Sequence, residues 1–168
     1  IELCEKKDLG GITPNREIIK ESLQLGTPIH PIIRPRAGDF NYTSREIDII
    51  LDDVSFCRDN QCSGIVFGIL NKKNDVDISL CRKIIEVSGN MSLTFHRAFD
   101  KTRHPIESME KIIDLGFDRI LTSGQKSDAV SGLSLINTLT DKGHGRISIM
   151  PGAGVRSSNI DVLLENDK

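Results

Sequence analysis

The chain lacks tryptophan and has one tyrosine among its 168 residues, so flat side chains for stacking on nucleic-acid bases are scarce. The formal net charge is −2, and no run of lysine and arginine stands out. This gives no electrostatic reason to expect binding to nucleic acid or to an anionic membrane. No apolar stretch approaches the roughly 20 residues needed to cross a bilayer. We therefore expect neither nucleic acid nor a membrane as a partner.

Cysteine pairs of the C-x-x-C type are also absent, which excludes the usual zinc-ribbon and thioredoxin motifs. The apolar fraction of 38% and the charged fraction of 27% are ordinary for a soluble globular protein. A chain of this length has room for one domain with a substantial core. We therefore expect free thiols and a reducing, cytoplasmic location. The four cysteines are Cys4, Cys57, Cys62 and Cys81.

Short β-rich runs recur along the chain, and their starts lie 26 to 35 residues apart. Each interval has room for one strand, one helix and two loops, which is typical of a parallel β/α array. We predict an α/β fold of the TIM (β/α)8 type, with about six β/α units in a single domain over residues 1–168. A complete barrel of this type has eight units, so we expect one unit before Ile1 and one after Lys168. The strand starts are placed near Ile1, Ile29, Gly64, Ser92, Asp118 and Arg146.

Helix start signals fall between these strands. Thr43-x-x-Glu46 has the pattern of a capping box, and an apolar stripe follows it. Glycines that would end helices follow several of the predicted segments. The other predicted starts are Thr13 with Pro14, Asp77, Pro105, Ser127 or Asp128, and Ser157 or Ser158.

Polar residues collect where the apolar strands end, which is where a β/α barrel builds its site. Alternation along the strands turns Glu2, Arg34 and His96 toward the barrel interior. Glu2 and Asp100 are candidate acids or bases, and His96 is a candidate acid or polarising group. The candidate anion-binding side chains, which suit a carboxylate or a phosphate, are Arg34, Arg36 and Arg97. A structural ion pair between Glu2 and Arg34 is the alternative.

Two glycine-containing turns are candidates for an anion-binding rim. Ser123 and Gly124 end one strand, and Gly152 and Gly154 follow the next. Backbone N–H groups in such turns can approach a phosphate closely, although an ordinary tight turn has the same composition. Cys4 is the cysteine expected at the mouth. Its thiolate would be a soft ligand for Cu(I), and a small buried apolar residue is the alternative.

Seven runs of residues together resemble the CutC copper homeostasis family, and they cover nearly the whole chain in the same order. The resemblance implies a cytoplasmic TIM barrel that is linked to copper tolerance and proposed to bind Cu(I). Of the two cysteines proposed as copper ligands in that family, one matches Cys4 and the other lies on a strand preceding Ile1. The runs are Ile1–Cys4, Gly10–Pro14, Ile33–Phe40, Val66–Gly68, Thr94–Asp100, Gly116–Gly124 and Met150–Val155.

Two functional hypotheses from different classes follow. The first is a copper homeostasis protein that binds Cu(I) through Cys4. The second is a TIM-barrel enzyme of the lyase or isomerase type, acting on a small phosphorylated or carboxylated molecule, with acid–base chemistry at Glu2, His96 and Asp100. A barrel without catalytic activity that serves as a binding module is a third alternative. A homodimer stays open, because no surface patch in the sequence identifies an interface.

Overall fold

The computed structural model describes residues 1–164. Within them, six strands alternate with six helices, and two short 3-10 helices follow β1 and β4 at Lys7–Leu9 and Arg97–Lys101. The strands are β1 (Glu2–Leu3), β2 (His30–Pro31), β3 (Gly64–Phe67), β4 (Ser92–Phe95), β5 (Arg119–Thr122) and β6 (Ser148–Pro151). The helices are α1 (Arg16–Leu23), α2 (Ser44–Asp59), α3 (Ile78–Ser88), α4 (Pro105–Asp114), α5 (Leu133–Gly143) and α6 (Ile160–Leu164).

All strand pairs are parallel, and neighbouring strands follow one another in sequence order. β1 pairs with β2, a parallel bridge between Ile32 and Val66 continues the array, and β3 to β6 follow in order. This order, with a helix between consecutive strands, is the arrangement of a TIM-type barrel. The carboxyl ends of all six strands therefore lie at one edge of the array. The predicted strand positions are confirmed to within two residues.

The core lies between the strands and the helical layer. Helix α2 contributes Ile47, Ile50, Val54 and Cys57, which are spaced to lie on one helix face and are all buried. The capping box predicted before this helix is confirmed, since the Thr43 and Glu46 side chains bond each other's backbone N–H groups. The cap fixes where α2 starts, and the apolar stripe then fixes which face it turns to the sheet.

Three predicted helix starts are wrong. Asn15, not Thr13, caps α1 by accepting a hydrogen bond from the N–H of Glu17, because the Thr13 hydroxyl accepts one from the backbone N–H of Arg34. Helix α5 begins at Leu133, after Asp128 has formed a turn with Ser131.

Helix α6 begins at Ile160 instead of near Ser157, since the side chain of Asn159 closes a turn onto the N–H of Arg156. The final part of the predicted domain, residues 165–168, lies outside the described residues. Among residues 1–164, no helix combines the length and the apolar character that crossing a membrane requires.

Candidate functional site

A cavity of about 360 Å³ opens at the carboxyl ends of the strands, and we call it the inner cavity. Its apolar lining includes Ile32, Phe40 and Leu121. A second, outer cavity of about 620 Å³ shares Arg34, Phe40 and Arg97 with the inner one. Five of the predicted site residues thus share one cavity despite their separation in sequence. The polar residues that line the inner cavity are Glu2, Cys4, Lys7, Arg34, His96 and Arg97.

His96 is the most buried titratable group of the inner cavity, at 3% exposure. Its Nδ1 atom accepts a hydrogen bond from the backbone N–H of Ala98 at 3.2 Å. Burial, with a smaller contribution from the charge of Arg34, lowers the pKa of His96 to about 3. The ring is therefore neutral at physiological pH, and its proton is on Nε2. Within the described residues, Nε2 has no hydrogen-bond partner.

Gly68, directly after β3, determines which edge of the His96 ring faces the cavity. A Cβ atom at this glycine would lie 2.7 Å from Nδ1 of His96 and 3.0 Å from Cε1. The Nδ1 edge of the ring is thus pressed against the backbone of Gly68. Phe40 packs on the ring with the centroids 5.0 Å apart.

Glu2 and Cys4 reach the cavity from β1 and the residue that follows it. Glu2 is accessible through the open cavity but surrounded by protein atoms, and this desolvation raises the pKa of its carboxyl group. The pKa of the Cys4 thiol is also raised, first by burial and then by Glu2, and Lys7 opposes this effect. Cys4 thus presents mainly a neutral thiol. Gly11 lies beside Cys4 in the wall of the inner cavity, and a Cβ added at Gly11 would lie 3.3 Å from the Cβ of Cys4.

Arg34 is buried at the boundary of the two cavities, and most of its N–H groups hold loops together. Nη1 donates to the carbonyl oxygens of Leu9 and Gly11, at 3.1 and 2.9 Å, and Nη2 donates to that of Gly38 at 3.0 Å. Its Nε is buried and has no partner within the described residues. Glu2 and Arg34 form no ion pair in this part of the chain, so the structural alternative is not realised.

The carboxylate of Asp100 reaches the turn at Ser123 and Gly124, which the sequence predicts to bind an external anion. Its carboxylate accepts hydrogen bonds from the backbone N–H groups of Ser123 and Gln125 and from the hydroxyl of Thr122. Arg97 adds an ion pair at 2.9 Å. The N–H of Gly124 donates a hydrogen bond to the hydroxyl of Thr122. The turn at Ser123 and Gly124 therefore binds the protein's own carboxylate, and Asp100 is a positioning residue.

Ala153 and Gly154 form a bend after β6, and both residues have positive φ. The N–H of Gly152 donates to the carbonyl of Thr122 at 2.8 Å, which extends the sheet. Gly152 has no room for a side chain, since a Cβ would lie 2.4 Å from Leu121. The carbonyl of Gly154 accepts a hydrogen bond from the side chain of Asn159. Ala153, which lies between Gly152 and Gly154, lines the inner cavity.

Arg36 lies away from both cavities. It forms ion pairs with Asp39 and Glu46 and thereby ties the loop after β2 to the capping box of α2. By contrast, Arg97 lines both cavities, and its side chain keeps 43% exposure while contacting Asp100 and Ser123.

Sequence reasoning missed Lys7, Phe40 and Gly68 as site residues. Lys7 and Gly68 each follow a strand at the carboxyl-terminal edge, so the rule that selected the other candidates applies to them too. Phe40 has no comparable signal, because only the packed loop brings its ring onto His96.

A metal centre of several ligands is not present in the part of the chain that the structure describes, since no three His, Cys, Asp or Glu side chains are grouped to hold an ion. Cys4 is half-buried at the cavity, while the other three cysteines are buried elsewhere, and all four are free thiols. Cu(I) favours several soft thiolates, and among the described residues Cys4 supplies one thiol to the cavity.

The family model described as the CutC family matches residues 1–167. The chain belongs to the CutC family. A CutC family protein from Pasteurella multocida is 42% identical over 167 residues, which cover 99% of this chain and 68% of the relative. Another, from Parabacteroides distasonis, is 48% identical over 162 residues, covering 95% of this chain and 67% of the relative.

Solved structures confirm the fold class. The crystal structure of a CutC protein from Streptococcus agalactiae, described as a candidate copper homeostasis protein, superimposes with a TM-score of 0.94 at 30% identity. That match covers 98% of this chain and 82% of the other. An aldolase, QR15, gives a TM-score of 0.67 at 14% identity, with 95% of this chain and 75% of the other covered. The likeness to QR15 concerns the fold alone.

Proposed function

We propose that the inner cavity binds a small anionic molecule and moves a proton on it. The observation that carries this proposal is the buried, neutral ring of His96, whose Nε2 has no partner among the described residues and whose other edge is fixed by Gly68. Buried polar groups are normally hydrogen-bonded, and an exception at a cavity is typical of a group that awaits a ligand. A purely structural histidine would have both nitrogens satisfied.

The charge of the cavity supports an anionic ligand. Lys7 and Arg34 bring two cationic side chains to its wall, against the carboxyl group of Glu2, while the charge of Arg97 is offset by its ion pair with Asp100. Glu2 makes no ion pair that would cancel one of them within residues 1–164. A concave site with an excess of positive charge concentrates anions and repels cations.

Glu2 is the residue that would exchange the proton. Desolvation raises the pKa of its carboxyl group, which makes the ionised form a stronger base and the protonated form available nearer to neutral pH. His96 would donate a hydrogen bond from Nε2 to the reacting oxygen. This division of roles fits the lyase or isomerase type of barrel enzyme. Asp100 takes no direct part, because donors from the turn at 122–125 and from Arg97 already surround it.

Isothermal titration with inorganic phosphate, acetate and oxalate tests the proposal. We expect at least one of these anions to bind, and His96→Asn to weaken that binding about tenfold through loss of one donor. Asparagine retains an acceptor for the N–H of Ala98, so the local turn is preserved. Arg146→Ala is the matched control, because Arg146 pairs with Glu110 on the surface. Equal affinities for the parent protein and His96→Asn would refute the proposal.

Binding of Cu(I) by Cys4 is the second candidate, and the position of this thiol in the cavity favours it. The nearby cations and the raised pKa of the thiol oppose it. Competition with a Cu(I) chelator tests it. Binding that disappears in Cys4→Ser but persists in Cys81→Ser supports a copper role for the cavity, and identical titrations of all three proteins contradict it. The four free thiols support a reducing, cytoplasmic location for either function.

A further inference from the structure

The distinctive property of the inner cavity is that one of its hydrogen-bond donors, the His96 ring, carries no charge. The Nε2–H of His96 is held in place by Gly68, Ala98 and Phe40, and the ring does not become cationic at neutral pH. A fixed neutral donor in a poorly solvated site suits a carbonyl oxygen, because its hydrogen bond strengthens as charge develops on that oxygen. The acceptor for Nε2 is thus expected to be a carbonyl group that gains negative charge during reaction.

Several backbone N–H groups of the predicted anion-binding rim are already engaged, so side chains of the cavity are assigned to the anionic group of the ligand. The backbone N–H groups at Ser123 and Gln125 are consumed by Asp100, and that of Gly152 is consumed by the sheet. The cationic side chains that line the cavity are Lys7, Arg97 and Arg34, and the buried Nε–H of Arg34 has no partner within the described residues. A guanidinium edge matches the planar geometry of a carboxylate.

We infer that the ligand is a small 2-oxo carboxylate and that the site exchanges a proton on the carbon next to its carbonyl group. The inference rests on the proposed function and names its substrate class. The carboxylate lies against Arg34 and the carbonyl oxygen accepts from His96. The carbon chain lies against Phe40, Ile32 and Leu121, which supply the apolar part of the wall.

The chemical step balances without an oxidant or a metal. The Glu2 carboxylate takes the proton from the carbon next to the carbonyl, and the electron pair of that C–H bond becomes a carbon–carbon double bond. The π pair of the carbonyl moves to its oxygen, and the resulting enolate is stabilised by the Nε2–H of His96 and the positive charge of Arg34. The proton on the Glu2 carboxyl group exchanges with solvent. Transfer of a solvent proton from Glu2 back to the carbon then regenerates the 2-oxo acid.

Deuterium exchange into pyruvate tests this step. The intact protein is incubated with pyruvate in D2O, and the methyl proton signal is followed by NMR. We expect exchange at least about tenfold faster than without protein, loss of this excess in Glu2→Gln, and loss of most of it in His96→Asn. The control Arg146→Ala should keep the full rate.

Binding measurements separate this inference from the proposed function. Oxalate, which resembles the enolate of pyruvate, should bind about 100-fold more tightly than acetate. Phosphate or acetate binding without pyruvate exchange would overturn the inference and leave the proposed function standing. Pyruvate binding with no exchange would also overturn it. No binding of any of these anions would refute both. Because Glu2 lies on an accessible strand end, Glu2→Gln remains informative if His96→Asn fails to fold.

Discussion

The carboxylate of Asp100 accepts a hydrogen bond from the backbone N–H of Ser123 at 3.0 Å, so the anion-binding turn after β5 is occupied from within the chain. The hydroxyl of Ser123 lies 2.9 Å from the same carboxylate and accepts a hydrogen bond from Arg97. This contact joins the segment after β4 to the segment after β5. It thereby holds Arg97 at the cavity.

Replacing Asp100 should therefore destabilise the protein more than it alters binding. Asp100→Asn leaves the backbone N–H groups of Ser123 and Gln125 poorly paired in a part-buried turn, and we expect a loss of about 1–3 kcal/mol in the free energy of unfolding. Urea denaturation measures this. Asp128→Asn, at an exposed turn, is the control and should have a clearly smaller effect. A neutral effect of Asp100→Asn would mean that the turn does not need its internal anion.

Gly68 should be required for binding, not only for stability. A Cβ at Gly68 would press on Nδ1 of His96, so Gly68→Ala should lower stability by about 1–3 kcal/mol and weaken anion binding as the ring moves. Gly64→Ala is the matched control. Its Cβ would lie 2.3 Å from His30 at the other end of the strand, so it should destabilise while anion affinity is kept. Equal affinities in the two variants would contradict the role given to Gly68.

Acid should destabilise the folded protein, because His96 takes up a proton more readily in the unfolded chain than in the folded one. Its pKa is about 3 when folded, against an ordinary value of 6.5, so below pH 6.5 the unfolded chain takes up a proton that the folded protein does not. The contribution is complete above pH 6.5 and is lost as the pH falls toward 3. Between pH 6.5 and about pH 5, we expect the parent protein to lose about 2 kcal/mol more than His96→Asn.

Urea unfolding at several pH values measures this difference. His104→Gln, at an exposed histidine, serves as the control and should follow the parent protein. Parallel pH dependence in the parent protein and His96→Asn would show that His96 is not buried in its neutral form.

The two arginines of the loop after β2 should behave differently. Arg36→Ala removes partly exposed ion pairs with Asp39 and Glu46, so we expect a loss of about 1 kcal/mol and unchanged anion affinity. Arg34→Lys removes buried hydrogen bonds to three carbonyl groups. We expect the free energy of unfolding to fall by about 2–3 kcal/mol and anion binding to weaken. Titration and unfolding of both variants test this contrast, and a binding defect confined to Arg36→Ala would reverse the assignment.

The sequence was informative wherever local chemistry decides the outcome. Thr43 and Glu46 define the start of α2 because the capping box involves residues three positions apart. Alternation along the strands placed Glu2 and His96 at the cavity because side chains of a strand point to opposite faces in turn. Local patterns misplaced the start of α1, since the Thr13 hydroxyl is taken by the N–H of Arg34, a residue 21 positions away.

By itself, then, the sequence determined the order of strands and helices, the apolar faces and the edge at which the polar residues collect. The tertiary structure alone decided which of these residues line the inner cavity. Asp100 fills the turn at Ser123, Arg34 bonds to Leu9, and Phe40 lies on His96 because segments distant in sequence are packed together. The physical reason is that hydrogen-bond partners and desolvation are set by all neighbours in space, whereas a sequence pattern records only neighbours along the chain.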